Sequence, residues 1–403
     1  MSLFGSAVRS MITKQDVWGD VSQSRNNADF GISYGGGMSY AGISITPETA
    51  MNFSAVFACV RLISDTIAAM PVDLLQRRGV ASYQMPKLEF MKRPNPEMTW
   101  QEFIQQLVTA RLMNGNLYFI PVEVAGRVTQ CWPVDPWKVE TARHKETNEL
   151  GYVVRKNPVP ARQIVHIRGL TLPGYDKGLS PIECARHTIG LALSAEKHGS
   201  KLFGQGTAFD TVIKAKTKLT PQQAKDLALG FARLHGGGDN SFIPAVVDSD
   251  ADIAHLSMTS EEAQFLLTRQ FQVEEVARWY GVPPHRIALT EKTTSWGTGI
   301  EQQNISFLQD ACTPIITGLE SAFTDLARYE NPDYFVKFNV SGLMRGDMAT
   351  RKDFYQTLWN VGALSPDDIR ALEDQNPLPG GVGGSYYVPM NYVPIGTPAG
   401  GEQ

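Results

Sequence analysis

The chain has 403 residues, and 42% of them are apolar, so it can bury enough side chains for two or three domains. Its formal net charge is −4, whereas proteins that hold nucleic acid tightly carry an excess of Lys and Arg that neutralises phosphates. These values exclude wholesale disorder and argue against tight DNA binding, but they leave weak or transient contact with DNA open.

An arm is predicted at the start of the chain, and the first helices follow it. Residues 1–47 are rich in Gly, Ser and Asn, a composition typical of a flexible segment. Pro47 after Thr46 is a helix-start signal, because proline suits the first helical position. Further on, apolar residues recur at helical spacing until Pro71 ends the pattern: Val56, Cys59, Val60, Ile63 and Ile67.

An α+β domain is predicted between residues 48 and 178. Thr99 and Glu102 have the spacing of a capping box, in which each side chain bonds the backbone N–H of the other residue. This helix should end at Asn114 and Gly115. The strings "LYFIPVEV", "VTQCWPV", "YVVRK" and "QIVHIRG" then predict short strands separated by turns.

Two long helices are predicted on either side of a small insert. The first should begin at Ser180, with a proline next to it and Glu183 completing a capping box, and run to about residue 203. The insert, residues 207–258, reads as a strand ("TVIKAK"), a helix opened by "TPQQ" and a strand ("FIPAVVD"). The second helix should be capped by Thr259. Each helix would reach about 30 Å, so the simplest geometry is a module carried on two antiparallel legs.

The segment 283–298 separates the second leg from a third long helix. Its string "LTEKTTSWGTGIEQQ" runs on into that helix, is polar, and has no apolar periodicity. The helix that follows, residues 299–330, contains Pro314, which should kink it because proline lacks the N–H of the helical hydrogen bond. After it come the strand string "YFVKFNV", two short helices within 345–376, and a Gly/Pro-rich tail, 377–403, expected to be ill-ordered.

The motifs disfavour an enzyme. "GISYG" places Ser33 in the G-x-S-x-G pattern of a hydrolase elbow, but that turn needs a strand before it, and Ser33 lies in the glycine-rich arm. No phosphate-loop, dinucleotide-binding or zinc-protease string occurs, and the four cysteines lie too far apart in sequence for a local zinc site. We therefore expect no enzymatic activity, no cofactor and no metal. No apolar stretch predicts a signal peptide or a membrane span, so we expect a soluble protein of a reducing compartment.

Five strings occur in order between residues 50 and 381: "FSAVFACVRLISDTIAAMPVDLLQR", "GLSPIECARHTIGLALSAEKHGSKLFGQG", "ARWYGVPPHRIAL", "IEQQNISFLQDACTPIITGLESAF" and "GLMRGDMATRKDFYQTLWNVGALSPDDIRALEDQNPLPGG". Each alone is unspecific. In this order and at these spacings they closely resemble portal proteins of tailed double-stranded DNA bacteriophages, of the siphophage head-portal type.

The resemblance implies a ring of about twelve subunits at one capsid vertex, through which double-stranded DNA enters and later leaves. A separate large terminase would drive packaging and dock on the ring. Head-completion or adaptor proteins and the major capsid protein would be further partners. The implied location is the virion, after assembly in the host cytoplasm, with no membrane contact.

The resemblance also implies the fold, an α+β and mainly helical portal fold. Its implied parts are a flexible arm (1–47), a wing (48–178), a first stem helix (179–206), a clip (207–258), a second stem helix (259–282), a tunnel-loop region (283–298), a long kinked helix with a wing strand (299–344), a crown of helices (345–376) and a flexible tail (377–403).

The candidate site that the resemblance implies is the tunnel loop, which would face the DNA. Its side chains are Lys292, Thr293, Thr294, Ser295 and Trp296. A single lysine is a weak grip on phosphates, so the loop would touch or gate a sliding duplex by sterics and weak polar contacts. A loop that only lines the channel is the alternative.

Two other functions stay open from the sequence. One is a head adaptor or structural protein that forms no ring and binds a partner through residues 207–258. The other is a serine hydrolase that uses Ser33.

Overall fold

The structure is a computed structural model, and it describes residues 37–143, 147–205, 211–215, 220, 222, 251–255, 260–289, 298–340, 348–373 and 375–387. The chain divides into two compact units. The first comprises Met1–Ala69 and Asp73–Lys337, and the second comprises Met70–Val72 and Phe338–Gln403. Helices make up about half of the described fold, and short sheets with their connecting segments make up the rest.

The helices described are α1 (Pro47–Met51), α2 (Ser54–Ala68), α3 (Glu89–Lys92), α4 (Trp100–Asn114), α5 (Pro181–Cys184), α6 (Arg186–Gln205), α7 (Ser260–Tyr280), α8 (Thr298–Ser306), α9 (Thr313–Ala327), α10 (Met348–Asn360) and α11 (Pro366–Leu372). A π-helical segment, Phe307–Cys312, joins α8 to α9. Short 3-10 turns occur at Pro136–Lys138, Ala161–Gln163, Pro284–Ile287 and Pro379–Gly384.

The strands described are β1 (Gly37–Met38), β2 (Ser44–Ile45), β3 (Val72–Arg78), β4 (Ala81–Met85), β5 (Asn116–Val124), β6 (Arg127–Val134), β7 (Val139–Arg143), β8 (Leu150–Val154), β9 (Asn157–Pro160), β10 (Val165–Arg168), β11 (Thr211–Ala215), β12 (Ala251–His255) and β13 (Tyr334–Phe338). Three sheets have three strands each, in the orders β10-β5-β6, β13-β3-β4 and β7-β8-β9. All four strands predicted between residues 117 and 169 are confirmed, as is β13, while β3, β4, β7 and β9 went unpredicted.

An aromatic core, Trp100, Phe103, Phe119 and Phe323, holds α4 and α9 against β5. The ring of Phe323 lies 5.7 Å from that of Phe119 and 5.0 Å from that of Trp100, measured between centroids. Phe103 meets Phe119 edge to face at 5.7 Å. The three phenylalanines are fully buried, so this cluster gains from area burial and from ring geometry together.

Helix α4 begins and ends where the sequence predicts. Thr99 Oγ1 accepts from Glu102 N–H at 3.3 Å, and the Glu102 carboxylate accepts from Thr99 N–H at 2.7 Å, which completes the capping box. At the other end Gly115 has φ +77°, and its N–H donates to Arg111 O at 2.8 Å. A left-handed residue of this kind ends a helix with little strain when it is glycine.

The prediction of one continuous helix from Ser180 is wrong. Ser180 does cap the first turn, since its Oγ accepts from Glu183 N–H at 3.3 Å. However, Ala185 has ψ +6° and separates α5 from α6. The Ser180 hydroxyl also donates to Met113 O at 2.9 Å, so the first turn is attached to the end of α4.

The insert between α6 and α7 is described in part. Strands β11 and β12 pair antiparallel, from Thr211 opposite His255 to Ala215 opposite Ala251. The first strand was predicted, whereas the segment 251–255 was not, and the predicted strand "FIPAVVD" and Thr259 lie outside the described residues. Helices α6 and α7 contact each other, and Arg269 lies 3.4 Å from Glu196 across that contact.

Part of the predicted arm is folded. Residues 37–45 form the hairpin β1-β2, and the ring of Tyr40 stacks on His187 of α6 at 3.7 Å. Ser39 packs against Gly190, where an added Cβ would come within 2.3 Å of the serine side chain. These contacts with α6 explain why residues 37–45 are folded although a flexible arm was predicted. Composition alone does not indicate tertiary contacts.

The second unit contains α10 and α11. Ser365 and Asp368 form a capping box, with the Ser365 N–H 2.8 Å from the Asp368 carboxylate. The tail was expected to be ill-ordered, but Leu378 N–H donates to Asp367 Oδ1 at 2.8 Å, and Tyr387 stacks on Trp359 at 5.4 Å. Both short helices within 345–376 are therefore confirmed, and residues 375–387 pack on them.

Candidate functional site: the root of the polar loop

The five predicted DNA-facing residues, Lys292, Thr293, Thr294, Ser295 and Trp296, lie outside the described residues. The structure describes the chain up to Leu289 and again from Thr298. The two flanks are the end of α7 with its following turn, and α8 with the π-helical segment. They form the root of the loop.

The flank before the loop is a sequence of tight turns. Gly281 ends α7 with φ +66°, and Val282 N–H donates back to Ala277 O at 2.9 Å. Ala288 has φ +65°, which an alanine adopts only at a cost of about 1 kcal/mol or more, so the surrounding contacts hold it there. The chain thus enters the loop from a constrained geometry.

Polar side chains link the two flanks across the loop. Arg286 Nε donates to Asn304 Oδ1 at 2.8 Å, and His285 Nε2 lies 3.3 Å from the same oxygen. The Arg286 guanidinium also lies over the ring of Phe307, 4.8 Å from its centroid. Phe307 is buried, so the cation–π contact joins a residue before the loop to the core after it.

The π-helical segment ends two residues before Pro314. Thr313 Oγ1 donates to Leu308 O at 2.8 Å, so a side chain bonds a carbonyl of the widened turn. Pro314 has no N–H for the helical bond, and π-bulges and prolines are both common causes of helix bending. Sequence reasoning predicted a kink at Pro314 but not the π-helical segment beside it; the kink itself stays a prediction.

The buried titratable groups around the root of the loop are neutral and unreactive near pH 7. Burial raises the pKa of the Cys59 and Cys312 thiols to about 12, and it raises the pKa of the Tyr280 hydroxyl. Thiols with such pKa values are neutral near pH 7 and unreactive. In the part of the chain that the structure describes, no group of three or more His, Cys, Asp or Glu residues could hold a metal ion.

A tightly packed backbone crossing lies where the α+β region passes into α5. The glycine crossing, Gly115, Gly169 and Gly178, brings backbones into direct contact. An added Cβ would lie 1.9 Å from Leu179 O at Gly115, and 2.4 Å from Gly115 O at Gly178. Sequence reasoning found Gly115 as a helix end, but the close approach joins segments over fifty residues apart and has no local signal.

The side chain of Asn116 stabilises the glycine crossing through hydrogen bonds. Its Oδ1 accepts from Gly178 N–H at 2.7 Å and its Nδ2 donates to Gly178 O at 3.0 Å. Because Oδ1 accepts, His166 donates to it from Nε2 at 3.0 Å, and His166 Nδ1 then accepts from the Tyr152 hydroxyl at 3.1 Å. Burial, with the positive charges of Arg168 and Lys177, lowers the pKa of His166 to about 3, so this network is built for the neutral ring.

Comparison with known proteins identifies the family. The profile of the family described as phage portal protein matches residues 54–374. The chain belongs to this family. The probable portal protein of Streptomyces phage phiC31 is 34% identical to this portal protein, over 90% of this chain and 83% of that one. The portal protein of Enterobacteria phage HK97 is 30% identical, over 84% of this chain and 82% of that one.

Solved structures share the fold. A chain from the neck of a native gene transfer agent particle, computed with C12 symmetry, has a TM-score of 0.57 and 21% identity, over 82% of this portal protein and 92% of that chain. An HK97-family portal protein from Corynebacterium diphtheriae has a TM-score of 0.54 and 15% identity, over 74% and 98%.

Family membership confirms two predictions. Portal proteins are structural components of the phage virion that serve genome packaging, and they are not enzymes. Ser33, the residue of the hydrolase alternative, lies outside the described residues. Among the described helices of this portal protein, none is long and apolar enough to cross a membrane.

Proposed function

We propose that about twelve copies of this portal protein form a ring at one capsid vertex, and that double-stranded DNA passes through the central channel during packaging and ejection. Family membership supports the role, and the C12 symmetry of the gene transfer agent neck supports the subunit number. The ring would assemble in the host cytoplasm and remain in the virion.

The observation that carries the proposal is the linked root of the polar loop. Arg286, Asn304 and Phe307 connect the two flanks, so residues 290–297 would leave from a rigid base and return to it. The loop carries Lys292 and the aromatic Trp296. A surface with so little positive charge can touch a duplex at many positions without holding any of them, which suits passage of DNA.

The remaining parts follow from the same family architecture. Residues 48–178 would form the wing, 179–206 and 259–282 the stem, 207–258 the clip, 299–344 the long kinked helix with the wing strand, and 345–376 the crown. The pairing of β11 with β12 and the contact between α6 and α7 support a module carried on two helices. That module would dock the large terminase and later the head-completion proteins, while the outer wing would meet the major capsid protein.

Electron microscopy of the purified full-length protein tests the ring. About twelve copies of the 44.4 kDa chain give a particle of roughly 500 kDa with a central hole. A protein that stays monomeric at high concentration, both alone and when co-expressed with capsid and scaffold proteins, would instead support a non-ring adaptor.

Replacing the loop tests its contact with DNA. A variant without residues 291–298 is compared with one in which a Gly/Ser segment of equal length replaces them, and DNA per particle is measured. We expect both variants to form rings and the deletion to retain less DNA. Wild-type retention in the Gly/Ser variant would reduce the loop to a spacer, and equal packaging and retention in all three proteins would remove any role for it.

A further inference from the structure

A stripe of exposed side chains runs along helix α2. The α2 stripe comprises Phe57, Arg61 and Asp65, which are four residues apart and therefore share one face of the helix. All three are exposed, and the Arg61 guanidinium lies over the Phe57 ring, 5.7 Å from its centroid. Arg61 forms no ion pair with any of the residues that the structure describes. The stripe thus presents an aromatic ring and an accessible, unneutralised cation to solvent.

Helix α7 carries a second stripe with the opposite charge at its centre. The α7 stripe comprises Phe271, Glu275 and Trp279, again four residues apart. Phe271 is 54% exposed and Trp279 is 46% exposed. Glu275 lies between them along the helix, keeps part of its side chain accessible, and pairs with the exposed Arg278. Aromatic side chains left in water on one helix face are typical of a surface that another protein covers.

The two stripes lie on different sides of one pair of helices. Helices α2 and α7 contact each other, and the buried Cys59 of α2 lies close to the buried Tyr280 of α7. Arg61 is two residues from Cys59, and Glu275 is five residues from Tyr280. Both separations place the two residues on nearly opposite sides of a helix. Each stripe therefore faces away from the contact between the helices.

We propose that the α2 stripe of one subunit packs on the α7 stripe of the next, with Arg61 paired to Glu275. The proposal rests on the proposed ring. A ring of more than two subunits needs contact between two different faces of the same chain, and the stripes supply two such faces.

Charge complementarity argues for a second copy of this chain as the occupant. The centre of one stripe is a cation and the centre of the other is an anion, and arginine matches a carboxylate in geometry. Glu275 has an aromatic residue four positions away in either direction. Phe57 would therefore meet Phe271 or Trp279 whichever way the two helices run. DNA fits less well, because both stripes contain a carboxylate that would face phosphates.

Charge reversal in the full-length protein tests the pair. Arg61→Glu, Glu275→Arg and the double variant are compared with wild type by mass photometry over a range of concentrations. We expect each single reversal to raise the concentration for half-assembly at least about tenfold, because like charges then meet. The double variant should return to within about threefold of wild type. Thermal midpoints of the unassembled chains should stay similar, because the changes lie on the surface.

A matched control and a cross-link make the result specific. Arg328→Glu reverses another exposed arginine, one that lies 3.3 Å from Asp325, and assembly should not change. For the cross-link, chains with Arg61→Cys and chains with Glu275→Cys are co-expressed under different tags and then oxidised. We expect disulfide-linked dimers that carry both tags. Oxidised wild type gives the background from the native cysteines.

Several outcomes would overturn the proposal. If wild type forms rings and both single reversals form them equally well, the inference fails while the ring proposal stands. If wild type never assembles, alone or with capsid and scaffold proteins, both fail. Defects that the double variant does not repair would show that Arg61 and Glu275 do not meet. Dimers formed by chains with Arg61→Cys alone would indicate a two-fold contact instead. Normal rings that fail to package DNA would assign the stripes to another partner.

Discussion

The aromatic core and the glycine crossing are both built on α4 and β5, but they depend on different forces. Phe103 and Phe119 bury apolar area against Phe323, so the stability of the core follows the volume that is filled. A few residues away, Gly115 and Asn116 bring backbones to the limit of contact and pair their polar groups. The aromatic core should lose stability in proportion to the volume that is removed from it. The glycine crossing has no space for an added atom, so a single methyl group should disrupt it.

The largest effect should come from adding one methyl group at the crossing. Gly115→Ala would place a Cβ 1.9 Å from Leu179 O and would also strain a residue at φ +77°, so the backbones must separate. We expect a loss of about 4 kcal/mol or more in the free energy of unfolding, or failure to fold.

Gly126→Ala is the matched control, because φ there is +79° and no atom lies within 4 Å of the added Cβ. It should cost about 1 kcal/mol from backbone strain alone. Chemical denaturation measures both variants. Equal losses would show that strain, and not the crossing, makes Gly115 necessary.

Removing a ring from the aromatic core should come next. Phe323→Ala leaves a cavity among Trp100, Phe103 and Phe119, and we expect a loss of about 3–5 kcal/mol. Phe323→Leu should cost much less, since most of the volume remains. Tyr329→Ala, at a side chain that is 57% exposed, is the surface control and should change little. A core that tolerates the alanine would contradict the dependence on volume.

Removing the side-chain hydrogen bonds of Asn116 should reduce the free energy of unfolding somewhat less. Asn116→Ala leaves Gly178 N–H and His166 without their shared acceptor, and we expect a loss of about 2–4 kcal/mol. Asn331→Ala removes the acceptor of one hydrogen bond, from Asp333 N–H at 2.9 Å near the surface, and should cost under about 1 kcal/mol. Hydrogen exchange at Gly178 adds a local readout, which should accelerate in the first variant and stay unchanged in the second.

The last predicted effect is a dependence on pH, which is small near neutral pH and grows as the pH falls. An unfolded histidine takes up a proton below about pH 6.5, whereas the pKa of His166 in the fold is about 3. The unfolded state therefore binds more protons in this interval, and stability is lost as pH falls from about 6.5 towards 3. Arg168 and Lys177 facing the ring add to this effect.

His166→Gln can keep the bonds to Asn116 and Tyr152 without a titrating group. Its thermal midpoint should fall less than that of wild type between pH 7 and pH 4. If the thermal midpoints of the two proteins fall in parallel as the pH is lowered, protonation of His166 is not the cause of the loss of stability.

How much the sequence predicted can be judged from particular elements. Helix α4 was predicted with its capping box and its terminal glycine, because both signals lie within a few residues of the element they control. The break at Ala185 was missed, since it accompanies the bond from Ser180 to Met113, sixty-seven residues away. Strands β7 and β9 were missed because their pairing with β8 compensates for weak local patterns.

For the candidate site, too, some features could be predicted from the sequence and others could not. The sequence located the polar loop and Pro314, but the link between Arg286 and Asn304 and the π-helical segment needed the tertiary structure.

By itself the sequence determined the family, the helix ends and the order of the parts, because ordered strings, caps and apolar spacing are local properties of the chain. The tertiary structure alone decided which glycines must stay glycine and where the long helices are interrupted. Each of these depends on atoms that are distant in sequence and come within a few ångströms of each other in the fold.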